Sequence, residues 1–201
     1  MSYHIRKVRA DEESDVSRIC FSTLDNSSDN RYSELAGLRW AVPYVRYERE
    51  NCFVAVGDDD IPVGYILSAL DAATFRKSFR KRMHGDMSKA LRTQRPAFSF
   101  WSYIQLYLEH SFYFEILPFR MEHEYPAHLH IDIHPEHQRK GLGFLMMDTL
   151  IEHLRQTGCT GVHLGVGKEN EKGIRFYEKY GFTLLKRSKV EGSFYGLKLD
   201  L

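Results

Sequence analysis

The sequence has few of the residues that build disulfide frameworks, zinc ribbons and membrane spans. Its three cysteines, Cys20, Cys52 and Cys159, are odd in number, far apart and without a Cys-x-x-Cys pair. This usage excludes a disulfide scaffold and favours a reducing, intracellular compartment, cytoplasmic or nuclear. Nowhere does the chain hold the roughly 18 consecutive apolar residues of a membrane helix, so we expect no membrane contact.

A charge excess of either sign is also absent. The 28 basic residues stand against 27 acidic ones, which leaves a formal charge of +1. No global field therefore recruits nucleic acid or an anionic surface, and any preference for an anion must be local. The 201 residues, 43% of them hydrophobic, suffice for one substantial core. We expect a single domain over 1–201, either a monomer or a homodimer.

Hydrophobic periodicity predicts an order of elements. Residues 3–9 alternate as a strand, and the segment ADEESDVSRICFSTL has Val16, Ile19, Cys20 and Leu24 at helical spacing. A second helical segment, SELAGLRWAVPYVRYERE, should be divided by Pro43, and CFVAVGDDDIPVGYILSAL predicts a hairpin. The patterns after residue 126 predict a strand (127–133), a helix (about 141–157), a strand (GVHLGVG), a helix (171–180) and two last strands in FTLLKRSKV and SFYGLKLDL.

Residues 72–125 have a basic half and an aromatic half, and we interpret this segment as an insertion between the predicted hairpin and the predicted strand at 127–133. Such an order is found in nucleic-acid-binding segments, because phosphates attract cations and unstacked bases stack on aromatic rings. A solvated cationic helix followed by core, lid or dimer aromatics is the commoner arrangement, and we favour it. The basic residues are Arg76, Lys77, Arg80, Lys81, Arg82, Lys89, Arg92 and Arg95; the aromatic residues are Phe98, Phe100, Trp101, Tyr103, Tyr107, Phe112, Tyr113, Phe114 and Phe119.

The segment HLHIDIHPEHQRKGL raises the question of a metal site. On a strand, His128, His130, Asp132 and His134 share one face, and His and Asp side chains are zinc ligands. An extended strand has difficulty converging three such side chains on one ion, and the sequence supplies no second ligand element. We therefore expect no metal here.

The second half of this segment predicts an anion site. Residues Gln138, Arg139, Lys140, Gly141, Leu142 and Gly143 stand between a strand end and a helix start. Unpaired backbone N–H groups and the positive end of the helix dipole point outward there, and phosphate fits both. Glycines allow a close approach of the backbone, although a Gly-x-Gly alone is a weak signal.

A third segment, NEKGIRFYEKYGF, has polar residues at both ends of one helix face. Asn170 and Tyr177 are two turns apart, with the small Gly173 between them. Such a face suits an elongated ligand. Asn170 as a helix N-cap and Tyr177 as a packing residue are the commoner alternatives for each residue alone.

Together, QRKGLG after a strand and Asn-x-x-Gly-x-x-x-Tyr followed by Tyr-Gly-Phe resemble the GNAT family of acetyl-CoA-dependent N-acetyltransferases. The resemblance implies an α/β fold, with a mixed, mostly antiparallel sheet flanked by helices and a splay between the two central strands. It also implies acetyl-CoA as co-substrate, an amine acceptor and no metal. The cofactor-binding residues would be Ile131, Asp132, Ile133, Gln138, Arg139, Lys140, Gly141, Leu142, Gly143, Asn170, Gly173, Phe176 and Tyr177.

The same resemblance makes Tyr177 the acid that protonates the leaving thiolate. The segments HIDIH and RFYEKYGF are more narrowly similar to the C-terminal acetyltransferase-like domain of O-GlcNAcase, in which the aspartate matching Asp132 is a proposed catalytic residue. Asp132 and His130 remain equal candidates for the base, while His128 is expected to be structural. A coenzyme-A-binding interaction module without turnover is the alternative function.

Overall fold

The computed structural model describes residues 2–24, 33–94, 119–188 and 192–200. Its strands form one seven-stranded sheet in the order β1-β2-β3-β4-β5-β7-β6, antiparallel except for the pair β4 and β5. This confirms the predicted mixed, mostly antiparallel sheet. The strands are β1 His4–Lys7, β2 Cys52–Val56, β3 Pro62–Ala69, β4 Ala127–Ile133, β5 Gly161–Val166, β6 Thr183–Ser188 and β7 Gly192–Lys198.

Helices flank the sheet on both faces. Within the described residues they are α1 Glu13–Ser22, α2 Ser33–Trp40, α3 Val42–Tyr47, α4 Ala72–Gln94, α5 Phe119–Glu124, α6 Leu142–Gln156 and α7 Glu171–Tyr180. Short 3-10 turns lie at Arg49–Asn51 and Pro135–His137. None of the helices in these ranges is long and apolar enough to cross a membrane.

The two faces of the sheet have separate cores. On one face Met146, Met147 and Leu150 of α6 pack with Ile66 of β3 and Leu129 of β4. On the other face the core combines residues of α1 and α3 with the alternate residues of β2 and β3, namely Val16, Ile19, Cys20, Tyr44, Val45, Cys52, Val54, Val56, Tyr65 and Leu67. Successive strand residues therefore alternate between the two cores, as strand geometry requires.

The predicted element order agrees with the structure, with two corrections to the predicted helix stripes. Pro43 stands at the start of α3 and separates it from α2, because a proline is tolerated in a first helical turn and not in a helix interior. Leu24 lies beyond the end of α1 and is exposed. The helical spacing of Leu142, Leu145, Met146, Leu150 and Leu154 predicts one buried stripe on α6, but Leu145 is exposed, so neither Leu24 nor Leu145 belongs to the core.

The basic half of the apparent insertion forms α4. Its apolar side, with Phe79, Met83 and Met87, packs against Leu38 and Val42. A helix with one buried face agrees with the solvated-face interpretation of its cations. The aromatic residues from Phe98 to Phe114 lie outside the described residues, and a single domain with an insertion at 72–125 stays a prediction.

Candidate active site

The parallel strands β4 and β5 separate soon after they meet. They pair at Ala127 with Val162 and at His128 with His163, whereas β4 runs on to Ile133 and β5 to Val166. On its other edge β4 stays paired with β3, in continuous register from His128 to Ile133. The edge of β4 that faces β5 therefore offers backbone N–H and C=O groups to an extended ligand lying in the splay.

The segment after β4 leads directly to the start of α6. Gln138 donates a hydrogen bond from Nε2 to the carbonyl of Ile133 at 2.9 Å, which ties the loop to the strand end. Arg139 and Gly141 both have positive φ, 60° and 82°, and Gly141 is the N-cap of α6 with no side chain to cap it. First-turn N–H groups and the dipole of a 15-residue helix therefore face this loop, as the anion site requires.

The two glycines of this loop serve different purposes. A Cβ on Gly141 would meet nothing within 4 Å, so this glycine is needed for its left-handed backbone. A Cβ on Gly143 would lie 3.0 Å from Cε2 of Phe176, so this glycine lets α6 approach α7. The predicted cofactor residues Gly143 and Phe176 are thus brought together by packing.

Asn170 caps α7. Its Oδ1 accepts a hydrogen bond from the backbone N–H of Gly173 at 2.9 Å, and a Cβ on Gly173 would lie 2.7 Å from the Asn170 amide nitrogen. The N-cap alternative is therefore present in the structure, and a contact between Asn170 and the coenzyme stays a prediction.

Tyr177 lies on the α6 side of the sheet. It is 9% exposed in the core that contains Met146 and Leu164, and its ring makes edge contacts with Phe176 and Phe182. Asp132 and His130 project to the opposite face, because Asp132 is paired with Tyr65 of the other core. The predicted acid and the two predicted bases therefore approach the splay from opposite faces of the sheet.

The polar face of β4 is held by tyrosines. Tyr65 Oη lies 2.5 Å from Asp132 Oδ2 and 3.2 Å from His130 Nδ1, and Trp40 stacks on the His130 ring. Tyr44 Oη lies 2.6 Å from His128 Nδ1, in agreement with a structural role for that histidine. Burial raises the pKa of Asp132 above its usual range, opposed by nearby His130 and by hydrogen bonds from Tyr65 and Thr23. A raised pKa is closer to neutral pH, which is where the pKa of an effective general base lies.

A possible metal-ligand group lies outside this strand face. Among the described residues, one ligand atom from each of His134, Glu136 and His137 lies within 4.8 Å of the others, in the turn after β4. Of these three residues, only His134 belongs to the predicted strand face of His128, His130 and Asp132, and exposed groups of this kind are common without an ion. His128, His130 and Asp132 are instead engaged with Tyr44 and Tyr65.

The sequence of the chain is similar to those of known acyltransferases. Residues 15–182 match the Acetyltransferase (GNAT) family. The chain belongs to this family. Its first curated relatives are an L-methionine sulfoximine/L-methionine sulfone acetyltransferase of Salmonella typhimurium and the L-amino acid N-acyltransferase MnaT of Escherichia coli, 35% and 30% identical over 69 residues. Each alignment covers 34% of this chain and 40% of the relative. The chain thus aligns with less than half the length of these relatives.

Three solved structures share the fold. The structure of SsHAT superposes with a TM-score of 0.80 at 24% identity and covers all of both chains. PaiA N-acetyltransferase from Thermoplasma acidophilum, in complex with coenzyme A, has a TM-score of 0.60 at 13% identity over 98% of this chain and 99% of its own. YncA from Salmonella typhimurium, a putative acetyltransferase with its cofactor acetyl-CoA, has 0.59 at 15% over 100% and 95%. The narrower resemblance to the O-GlcNAcase domain stays a prediction.

The sequence alone does not reveal the residues that support the candidate site from neighbouring elements. Tyr65 is the main one: it stands inside the apolar run VGYIL and is fully buried. A tyrosine among aliphatic strand residues indicates a hydroxyl that needs a buried partner, but the sequence alone does not give the β3–β4 register that supplies Asp132.

Proposed function

We propose that this protein transfers the acetyl group of acetyl-CoA to an amine by direct attack. The observation that carries the proposal is the splay of β4 from β5 beside the uncapped start of α6. A strand edge and a helix N-terminus at its end suit a ligand with an extended amide arm and a pyrophosphate. Relatives that carry coenzyme A or acetyl-CoA on the same fold support this choice of co-substrate.

In this arrangement Ile131, Asp132 and Ile133 contact the pantetheine arm through backbone groups. The loop of Gln138, Arg139, Lys140, Gly141, Leu142 and Gly143 faces the pyrophosphate, with cations at its rim and N–H groups at its base. Asn170, Gly173 and Phe176 line the α7 side. These residues form the binding half of the proposal.

The chemical half requires a base, an oxyanion site and an acid. His130 or Asp132 takes a proton from the acceptor ammonium, and the freed nitrogen attacks the thioester carbon. Backbone N–H groups at the splay stabilise the charge on the carbonyl oxygen, and Tyr177 donates its proton to sulfur as the C–S bond breaks. The acid and the base lie on opposite faces of the sheet, so the thioester lies between them when the arm occupies the splay.

The acceptor is proposed by class only. The curated relatives that align with this chain over 69 residues are named for acetylation or acylation of amino acids, so the α-amine of a small amino acid is the first class to test. Peptide amines, amino sugars and polyamines follow, because the alignments cover only 34% of this chain and a shared fold does not fix the acceptor.

The test is a rate measurement with a panel of these amines. The purified protein is incubated with acetyl-CoA and each amine, free thiol is followed with a chromogenic reagent, and the acetylated product is identified by mass. Thiol release that depends on one amine class supports the proposal. A rise in melting temperature with acetyl-CoA, without amine-dependent thiol release for any acceptor, would favour the coenzyme-A-binding module instead.

A further inference from the structure

Tyr65 connects the two candidate bases. It stands directly opposite Asp132 in the β3–β4 register, and its ring is fully buried between the sheet and α1. Its hydroxyl is within hydrogen-bond distance of both His130 Nδ1 (3.2 Å) and Asp132 Oδ2 (2.5 Å). The direct separation of His130 Nε2 from Asp132 Oδ2 is 3.9 Å, too long for a hydrogen bond. The hydrogen-bonded connection between the imidazole and the carboxylate therefore passes through the Tyr65 hydroxyl.

The distances assign the direction of these bonds. A tyrosine hydroxyl carries one proton, and the shorter contact, to Asp132, has the length of an O–H donated to a carboxylate. The Tyr65 oxygen must then accept from His130, which requires the imidazole proton on Nδ1. In this tautomer the lone pair is on Nε2.

We propose that Tyr65 is a positioning residue that fixes His130 in the Nδ1-protonated tautomer, so that Nε2 takes the proton of the attacking amine. Asp132 then holds Tyr65 in place and stabilises the imidazolium through it, rather than acting as the base. This assignment rests on the proposed acetyl transfer and selects between its two candidate bases.

The proton balance is simple. The ammonium N–H bond breaks, an Nε2–H bond forms on His130, and the freed nitrogen pair attacks the thioester carbon. When the tetrahedral intermediate collapses, the C–S bond breaks, its electron pair goes to sulfur, and Tyr177 donates its proton there. The amide nitrogen then gives up its second proton, which restores the Tyr177 phenol through solvent. His130 returns its own proton to water, while Tyr65 and Asp132 keep their protonation states throughout.

The direction of the hydrogen-bond chain depends on pH. If Asp132 is protonated, it donates to Tyr65, Tyr65 donates to His130 Nδ1, and the imidazole proton moves to Nε2, where it blocks the base. Among the described residues, the titratable groups facing Asp132 are Tyr65 from β3, His130 from its own strand and the Cys20 thiol from α1. Burial raises the pKa of Cys20 to about 12, so Cys20 stays neutral in the working range.

The tautomer is directly measurable without turnover. Nitrogen-15 spectra of protein labelled at histidine distinguish protonated from unprotonated ring nitrogens, and the His130 signals are those lost in His130→Gln. At a pH where the ring is neutral, we expect the proton on Nδ1 in the parent and a change toward Nε2 in Tyr65→Phe. A parent His130 with its proton on Nε2 would overturn the proposal.

A rate profile tests the consequence. In Tyr65→Phe we expect kcat/KM for the amine to fall about tenfold to a hundredfold, with acetyl-CoA affinity unchanged. The part of the acid limb of the pH–rate profile that depends on Asp132 should disappear, because without the Tyr65 hydroxyl the protonation of Asp132 no longer moves the His130 proton. Tyr44→Phe is the matched control: it removes another buried hydroxyl that lies against a histidine of the same strand face, and it should keep the parent profile.

Two outcomes contradict the proposed role of Tyr65. The first is a Tyr65→Phe profile that equals the Tyr44→Phe profile. The second is a His130→Gln variant that keeps the parent rate and pH dependence, which would make Asp132 the base. If the parent shows no amine-dependent thiol release, the proposed function fails, whereas the nitrogen-15 measurement still decides the tautomer.

Discussion

Gly141 allows backbone strain and ligand repulsion to be measured separately. It caps α6 at a φ of 82°, and a Cβ there would meet no atom within 4 Å. Gly141→Ala should therefore cost only the left-handed backbone conformation, about 1–2 kcal/mol. For a chain of this size, each kcal/mol lowers the melting temperature by about 2–4 °C. The variant should stay folded and bind acetyl-CoA.

Gly141→Asn and Gly141→Asp then differ by charge alone. Both side chains tolerate the left-handed conformation better than alanine does. A carboxylate about 5 Å from a phosphate charge is repelled by about 3 kcal/mol at an effective dielectric constant of about 20, and less after screening by salt. We expect Gly141→Asp to bind acetyl-CoA about tenfold to a hundredfold more weakly than Gly141→Asn, a difference of about 1.4–2.8 kcal/mol.

Isothermal titration calorimetry of the two variants at low salt measures this difference. Equal affinities would refute the placement of the phosphates at this loop. Gly143 is the wrong position for such a test, because a Cβ there would lie 3.0 Å from Phe176 and would perturb the packing of α6 on α7.

Three further predictions address the acid, the metal and the pH dependence of stability. Tyr177→Phe keeps the buried ring contacts and should lower turnover by about two orders of magnitude with acetyl-CoA binding retained; an unchanged rate at saturating substrate would make Tyr177 a packing residue. Chelators should leave the melting temperature and its shift with acetyl-CoA unchanged, and recovery of a stoichiometric metal would overturn the expectation of no metal. His163 is 1% exposed, and burial lowers its pKa to about 3. Because an unfolded histidine takes up its proton near pH 6.5 and the native one does not, stability should fall by about 2 kcal/mol from pH 7 to 5 in urea unfolding. His163→Gln should lose less over the same interval, and an equal loss in both proteins would contradict the assignment.

The sequence predicted those parts of the fold that depend on interactions between residues close together in the chain. Pro43 divides a helical pattern because its ring is excluded from a helix interior. The helix predicted over 171–180 ends in the structure at Gly181, which has a φ of 113°. The alternation in HLHIDI placed His130 and Asp132 on one face, and the continuous β3–β4 register agrees with this.

Contacts between distant segments could not be predicted. The pairing of Tyr65 with Asp132 depends on which residues of β3 and β4 stand opposite each other, and nothing in either strand alone specifies that register. The contact of Gly143 with Phe176 depends likewise on how α6 crosses α7. The sequence did not decide whether Asn170 caps α7 or contacts the coenzyme, because both roles suit an asparagine.

A crystal structure of the protein with coenzyme A tests the proposed binding site. We expect the pantetheine arm between β4 and β5, hydrogen-bonded to backbone groups of Ile131 and Ile133. We also expect the pyrophosphate against the N–H groups at Gly141–Gly143, and the sulfur near Tyr177. Coenzyme A bound outside the splay, or with its pyrophosphate away from the start of α6, would contradict the proposed function.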